Sequence, residues 1–247
     1  YEICACLVGS EMCIRDREQN RAIQENIKKN ETENAMVAVS AGEGMDSEFT
    51  GAGVGVIISG GQTMNPSTES ILAGVDKIPA ETVFILPNNG NIIMAAQQCA
   101  ALTEKQVVVI PTKTVPQGIT AMMNVDPEAE VASITEAMTE ALSTVTTSQI
   151  TYAARDSDFD GFEIHQGDYL ALKEGKLFGT DAQLDALLEK LAEEGKDSSF
   201  ISLYYGEDVT EDAAQAAGAR FQAVCPDAEI SVLSGGQPVY YYIISFE

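Results

Sequence analysis

The chain is 247 residues long and 45% of them are hydrophobic, enough to bury one sizeable core or two modest ones, which excludes an intrinsically disordered protein. Asp and Glu number 38 against 14 Lys and Arg, a formal charge of −24, so a phosphate backbone would be repelled over most of the surface and nucleic acid is excluded as a partner. The same acidity suits a basic protein partner, or serves only to keep a cytosolic protein soluble.

Tyr1 to Arg17, YEICACLVGSEMCIRDR, begins without Met and follows neither a helical nor an alternating period. The stretch CLVGSEMCIRDR resembles translated adapter sequence, so residues 1–17 are expected to be a foreign leader on a truncated reading frame and are set aside. Three of the five cysteines, Cys4, Cys6 and Cys13, fall in that leader with no His or fourth Cys beside them, which disfavours a metal site. An odd number of cysteines implies no disulfide framework. Residues 18–34 are polar, with Ile23 and Ile27 four apart, and read as a linker helix. No run reaches the ~18 apolar residues that span a bilayer, and no secretory pattern is present, so a cytoplasmic location is expected.

From Ala35 the pattern becomes short β-branched runs alternating with helical segments, the grammar of an α/β lobe over residues 35–145. Strands are predicted at Met36–Val39, Gly55–Ile58, Thr82–Leu86 and Val107–Ile110, each nearly all apolar, as parallel strands covered on both faces require. Helices are predicted at Ser67–Lys77, Asn91–Leu102, Pro116–Asn124 and Glu128–Ser143. Open parallel sheets bind ligands beyond the carboxyl ends of their strands, and four polar loops fall there: Ser40–Gly44, Ser59–Ser67, Pro87–Asn91 and Pro111–Gly118.

These loops supply most of the candidate site. Gly60 and Gly61 permit close backbone approach, and Gln62, Thr63, Asn65 and Ser67 offer polar groups just before a helix whose first amides favour an anion. Asn88, Asn89, Thr112, Thr114 and Gln117 add hydrogen-bonding groups, and Lys113 is the only cation among the four loops. The same residues also suit plain capping and turn chemistry, with Asn65 capping a helix that has Pro66 in its first turn.

Over residues 146–247 the pattern shifts towards alternation, with Ile150, Tyr152 and Ala154 on one face, and a smaller mixed α/β lobe with antiparallel strands is predicted. Asp160-Gly161 and Glu174-Gly175 read as hairpin turns. A helix at Asp181–Glu194, a strand at Phe200–Tyr205, a helix at Glu211–Val224 and strands at Glu229–Leu233 and Val239–Phe246 follow. The string SGGQ recurs at Ser234–Gln237 after an apolar strand, as at Ser59–Gln62, so Gly235, Gly236 and Gln237 join the candidates. The two corners either face each other across an interlobe cleft or arise independently as tight turns.

Catalytic signatures are sparse. His165 is the only histidine and has no nucleophile motif near it, so a triad would need partners distant in sequence. Asp156, Asp158, Asp160 and Gly161 open like a calcium loop, but Gly167 stands where its bidentate Glu should be. There is no GxxxxGK[ST] loop and no GxGxxG opening a helix.

Taken together, GGQTMNPST (Gly60–Thr68), LPNNGNI (Leu86–Ile92), VIPTKTVPQG (Val109–Gly118), TYAARD (Thr151–Asp156), YYGEDV (Tyr204–Val209) and GGQPVYYYIISFE (Gly235–Glu247) closely resemble the C-terminal region of the catalytic subunit of fatty acid kinase, which is a dihydroxyacetone-kinase-like protein. The resemblance runs from about Asn34 to the end and implies a two-lobe, DegV-like α/β fold. In that family an N-terminal domain binds ATP and Mg²⁺, and the whole protein phosphorylates a fatty acid carboxylate presented by a separate DegV-like protein, giving an acyl phosphate for phospholipid synthesis. The resemblance therefore implies a non-catalytic domain that docks the fatty-acid-binding partner, with no catalytic residue, cofactor or metal of its own. A fatty acid or small anion in the interlobe cleft is the alternative. Gly90 stands where similar members often carry Lys, which lowers the positive charge beside that cleft.

Overall fold

The computed structural model describes residues 34–61, 65–159 and 161–247. The expected leader, residues 18–33 of the expected linker helix, and Gln62, Thr63 and Asp160 lie outside the described residues.

Four short apolar runs form the first sheet: β1 (Asn34–Ser40), β2 (Val56–Ser59), β3 (Thr82–Leu86) and β4 (Gln106–Val109), in the order β2-β1-β3-β4 and all parallel. Their side chains alternate between two cores because a strand turns successive Cβ atoms to opposite faces. Ala35, Val37, Val39, Val83 and Ile85 face one layer, where α2 (Thr68–Asp76) and α3 (Ile93–Cys99) contribute Ile71, Val75, Ala96 and Cys99. Met36, Ala38, Phe84 and Leu86 face the other, packed with Met45 and Phe49 of α1 (Glu43–Gly51), Ile119 and Met122 of α4 (Val115–Met123), and Ile134 and Met138 of α5 (Val131–Ala141).

The second sheet is mixed, ordered β11-β10-β12-β5-β8-β9, from β5 (Thr146–Tyr152), β8 (Tyr169–Lys173), β9 (Lys176–Asp181), β10 (Phe200–Tyr205), β11 (Glu229–Ser234) and β12 (Tyr242–Phe246). Only β10 and β11 run parallel; the other neighbours are antiparallel. A separate hairpin, β6 (Ser157–Phe159) with β7 (Phe162–Ile164), turns through Gly161 at a φ of 83°, the turn expected in place of a calcium loop. Glu174 and Gly175 both take positive φ between β8 and β9, the geometry a two-residue hairpin demands. Helices α6 (Leu184–Glu194) and α7 (Glu211–Val224) cover one face of this sheet, packing Leu187, Leu188, Leu191 and Phe221 against Ile201, Leu203, Ile244 and Phe246.

The other face of the second sheet is not left to solvent. Tyr204 and Ile243 enter the same core as Met45, Phe84 and Ile119, so α1, α4 and α5 are sandwiched between the two sheets. At ~1.5–3 kcal/mol per fully buried large side chain, this shared layer holds the lobes together as one body.

Two local predictions are corrected. Ser67, not Asn65, caps α2, its hydroxyl accepting from the Ser70 amide at 3.1 Å. Tyr152 lies on the Ile150 face of β5 but at the end of the strand, where it is 50% exposed, and Ala154 falls beyond β5.

Candidate functional site

The loops after β3 and β4 converge because Asn88 ties them to the sheet. Its backbone takes a φ of 56°, its amide donates to the Thr112 hydroxyl at 2.9 Å, and its side-chain nitrogen donates to the Val39 carbonyl at 2.9 Å. Gly118 makes room for it, since a Cβ there would sit 2.1 Å from Asn88 Oδ1. Thr114 caps α4 and shares a hydrogen bond of 2.8 Å with Thr147 of the second lobe, and Gln117 Oε1 accepts from the Lys113 amide at 2.8 Å. Asn88, Thr112, Thr114 and Gln117 are all buried, while Lys113 projects outward.

Beyond this framework lies an interlobe cavity of about 280 Å³. The first lobe lines it with Asn89, Gly90, Asn91, Lys113 and Thr114, and the second with Gln149, Leu172, Glu174, Gly175 and Tyr240. Lys113 is its only cation, and Glu174 is its only carboxylate, held by the Thr147 amide 2.6 Å from Oε1. Burial pushes the Tyr240 phenol above its ordinary pKa, so it stays a neutral hydrogen-bonding group at physiological pH. Most of its lining residues carry polar side chains while about half of the exposed wall is apolar, so it can receive a small ligand with a hydrogen-bonding or anionic group.

Of the predicted residues, Asn89, Lys113 and Thr114 line the cavity, and Asn88, Thr112 and Gln117 brace its floor. Gly60, Gly61, Asn65 and Ser67 lie outside the wall, though Asn89 Nδ2 reaches Asn65 Oδ1 at 3.3 Å. Gly235, Gly236 and Gln237 form the joint between the lobes instead. The Gly235 carbonyl accepts from the Gly44 and Met45 amides at 3.2 and 3.3 Å, supplying the cap that Gly42 lacks. A Cβ on Gly44 would meet the Ser234 carbonyl oxygen at 1.6 Å. The second SGGQ corner thus packs on Gly42–Met45 of the first lobe, while a Cβ on Gly61 of the first corner would meet nothing within 4 Å. Gln237 is buried, its side-chain nitrogen donating to the Tyr204 carbonyl at 2.9 Å.

Sequence reasoning missed Gln149, Leu172, Glu174, Gly175 and Tyr240 as cavity residues. The Glu174-Gly175 turn was visible as a turn, but nothing in the sequence brings it to Lys113. His165 lies on an exposed turn, its ring 3.9 Å from Glu163 and its amide donating to Asp168, which is turn chemistry. Cys99 and Cys225 are free and buried, and burial raises both thiols above their ordinary pKa, the state of inert packing cysteines.

Residues 35–247 match the FakA-like C-terminal family, the C-terminal region of fatty acid kinase proteins. The chain belongs to that family. It is 42% identical over 214 residues to Protein YloV of Bacillus subtilis, covering 86% of this chain and 39% of the relative. An uncharacterized protein of Staphylococcus haemolyticus is 37% identical over 238 residues, covering 95% of this chain and 43% of its own length. The chain thus spans about two-fifths of these relatives. Among solved structures, a DegV family protein from Corynebacterium glutamicum superposes with a TM-score of 0.63 at 13% identity, over 86% of this chain and 96% of the other. The Streptococcus pneumoniae fatty acid kinase B3 protein, loaded with linoleic acid, gives 0.56 at 12% identity over 87% and 99%. The dihydroxyacetone kinase of C. freundii gives 0.56 at 10%, over 87% of this chain and 48% of that one. The FakA-like C-terminal domain is therefore DegV-like in fold, as the motifs implied.

Proposed function

We propose that this chain is the non-catalytic C-terminal domain of a cytoplasmic fatty acid kinase, where it docks the DegV-like fatty-acid-binding partner for ATP-dependent phosphorylation of the fatty acid carboxylate. The family match over residues 35–247, in a chain spanning about two-fifths of its relatives, carries this reading. ATP and Mg²⁺ would belong to a kinase domain elsewhere in the whole protein. No group of three or more His, Cys, Asp or Glu suited to a metal occurs among the described residues. Among them, too, no helix is long and apolar enough to cross a membrane.

The test is titration of the purified chain with the DegV-like proteins of its own genome, loaded with oleate, at low and high salt. Association that weakens with salt is expected from an acidic surface meeting a basic one. No measurable association at low salt refutes the reading.

The interlobe cavity favours a second reading, in which a small anion or fatty acid headgroup sits beside Lys113. Thermal-shift assays with inorganic phosphate and with oleate, on the wild type and on Lys113→Ala, decide it. Stabilisation lost in the variant supports the site, and an unresponsive wild type removes it.

A further inference from the structure

Part of the second sheet carries leucines that no core uses. Ala171 and Tyr169 of β8 pack with Leu187 on the face covered by α6 and α7, so Leu170 and Leu172 point to the opposite face. The ladder carries that row sideways: Gln149 of β5 lies opposite Leu172, and Leu172 lies opposite Leu177 of β9. On this face the layer of α1, α4 and α5 takes in Tyr204 of β10 and Ile243 of β12 but, among the described residues, nothing from β8 or β9. Leu170, Leu172 and Leu177 are each partly buried, yet among the described residues they join none of the three hydrophobic cores.

These three leucines, with Ile164 of β7, line a trough of about 440 Å³ that is open to solvent on one side. The trough shares Leu172 and Gly175 with the interlobe cavity, so the two spaces meet along a common wall. The chemistry changes along that wall. At the cavity end stand the cation Lys113 and the hydrogen-bonding groups of Thr114, Gln149 and Tyr240, and at the trough end the aliphatic groups of Leu170, Leu177 and Ile164. Gln149 and Leu177 are two strand spacings apart, roughly 10 Å. Arg155 and Asp158 line the trough but not the cavity, so charge returns only away from Lys113.

From this common wall we infer that cavity and trough form one site for a medium-chain aliphatic monocarboxylate, its carboxylate beside Lys113 and its chain laid over Leu172 and Leu177. The inference rests on the reading that places an anion beside Lys113, and it names the other half of that ligand. Methylene groups set against the leucines remove apolar surface from water on both sides. Glu174, on the cavity wall, repels a dianion more than a singly charged carboxylate. A chain long enough to reach Arg155 and Asp158 must strip water from charged groups, so the gain from added methylenes stops at intermediate length.

The closing experiment titrates the 247-residue chain calorimetrically with straight-chain carboxylates from butanoate to myristate, each below its micelle concentration, and with inorganic phosphate. A chain in a trough open on one side buries about half its surface, so affinity is expected to rise roughly twofold per methylene, about fiftyfold from butanoate to decanoate, and then to level off. Lys113→Ala should weaken binding of every carboxylate. Leu177→Asn should flatten the rise and Leu177→Met should restore it, with thermal midpoints reporting whether each variant is folded. If the wild type binds phosphate or butanoate but gains nothing with chain length, the inference is overturned and the anion reading survives. A folded Leu177→Asn that keeps the full rise also overturns it, and so does affinity that climbs undiminished to myristate. A wild type that binds neither phosphate nor any carboxylate removes the anion reading and this site with it.

Discussion

The tetrapeptide Ser-Gly-Gly-Gln occurs twice, and its two copies share local geometry while differing in tertiary role. Each follows the edge strand of a parallel pair and extends the ladder by one bond: Gly60 donates to the Ser40 carbonyl and Gly235 to the Tyr205 carbonyl, both at 2.9 Å. In each the second glycine is left-handed, Gly61 at a φ of 60° and Gly236 at 63°. Yet a side chain on Gly61 would find open space, while the Gly235 carbonyl caps α1 of the opposite lobe. Identical sequence dictates the turn; what the turn does is set by what the chain brings opposite it.

The sharpest way to break this contrast is at Gly44, whose α-carbon is pressed against the second corner. Both atoms in the clash of Gly44→Ala belong to backbone or to the new Cβ, so neither can swing aside, and a loss of about 3 kcal/mol or more is expected. Urea denaturation followed separately through each lobe should show the two transitions drifting apart. A single, unshifted transition would mean that the joint does not couple the lobes.

Gln237→Ala comes next. It removes the donor to the buried Tyr204 carbonyl, and an abandoned buried partner costs about 2 kcal/mol. Gly61→Ala, at the open corner, should cost only the ~1 kcal/mol of forcing alanine into a left-handed backbone. Denaturation midpoints that fail to rank Gly44, Gln237 and Gly61 in that order would erase the distinction between the corners.

The same contrast explains what was legible in the sequence. Strands such as Thr82–Leu86 and Phe200–Tyr205 were readable to the residue because continuous apolar runs bounded by turn residues have few other uses. Helix α1 was invisible: Gly42 offers no side-chain cap, Gly44 and Gly51 lower its propensity, and only Met45 and Phe49 mark a face. Its cap comes from Gly235, 191 positions further along the chain than Gly44, and no local signal encodes that. The candidate site divides in the same way. Asn89, Lys113 and Thr114 sit at strand ends and were found by topology, whereas Gln149, Glu174 and Tyr240 reach the cavity only through the sandwiching of α1, α4 and α5 between the sheets.

The smallest expected effect tests the joint through pH. Asp46 lies in the first turn of α1, next to the amides that Gly235 caps. Burial, the dominant influence, raises its carboxyl pKa; the Ser40 hydroxyl lowers it and the charge of Glu43 raises it further. With a raised folded value, the native state still holds this proton over a range where the unfolded chain, near its ordinary value of about 3.9, has released it. Stability from this group is therefore intact below about pH 4 and falls as pH climbs through the folded value. Asp46→Asn cannot titrate, and subtracting its stability from that of the wild type cancels the other carboxylates. That difference should decline from pH 4 upward and level off, as read by urea denaturation in half-unit steps. A difference that grew with pH would show the carboxylate to be welcomed by the capped helix end, making the joint an anion-favouring site and not the desolvated contact its backbone packing implies.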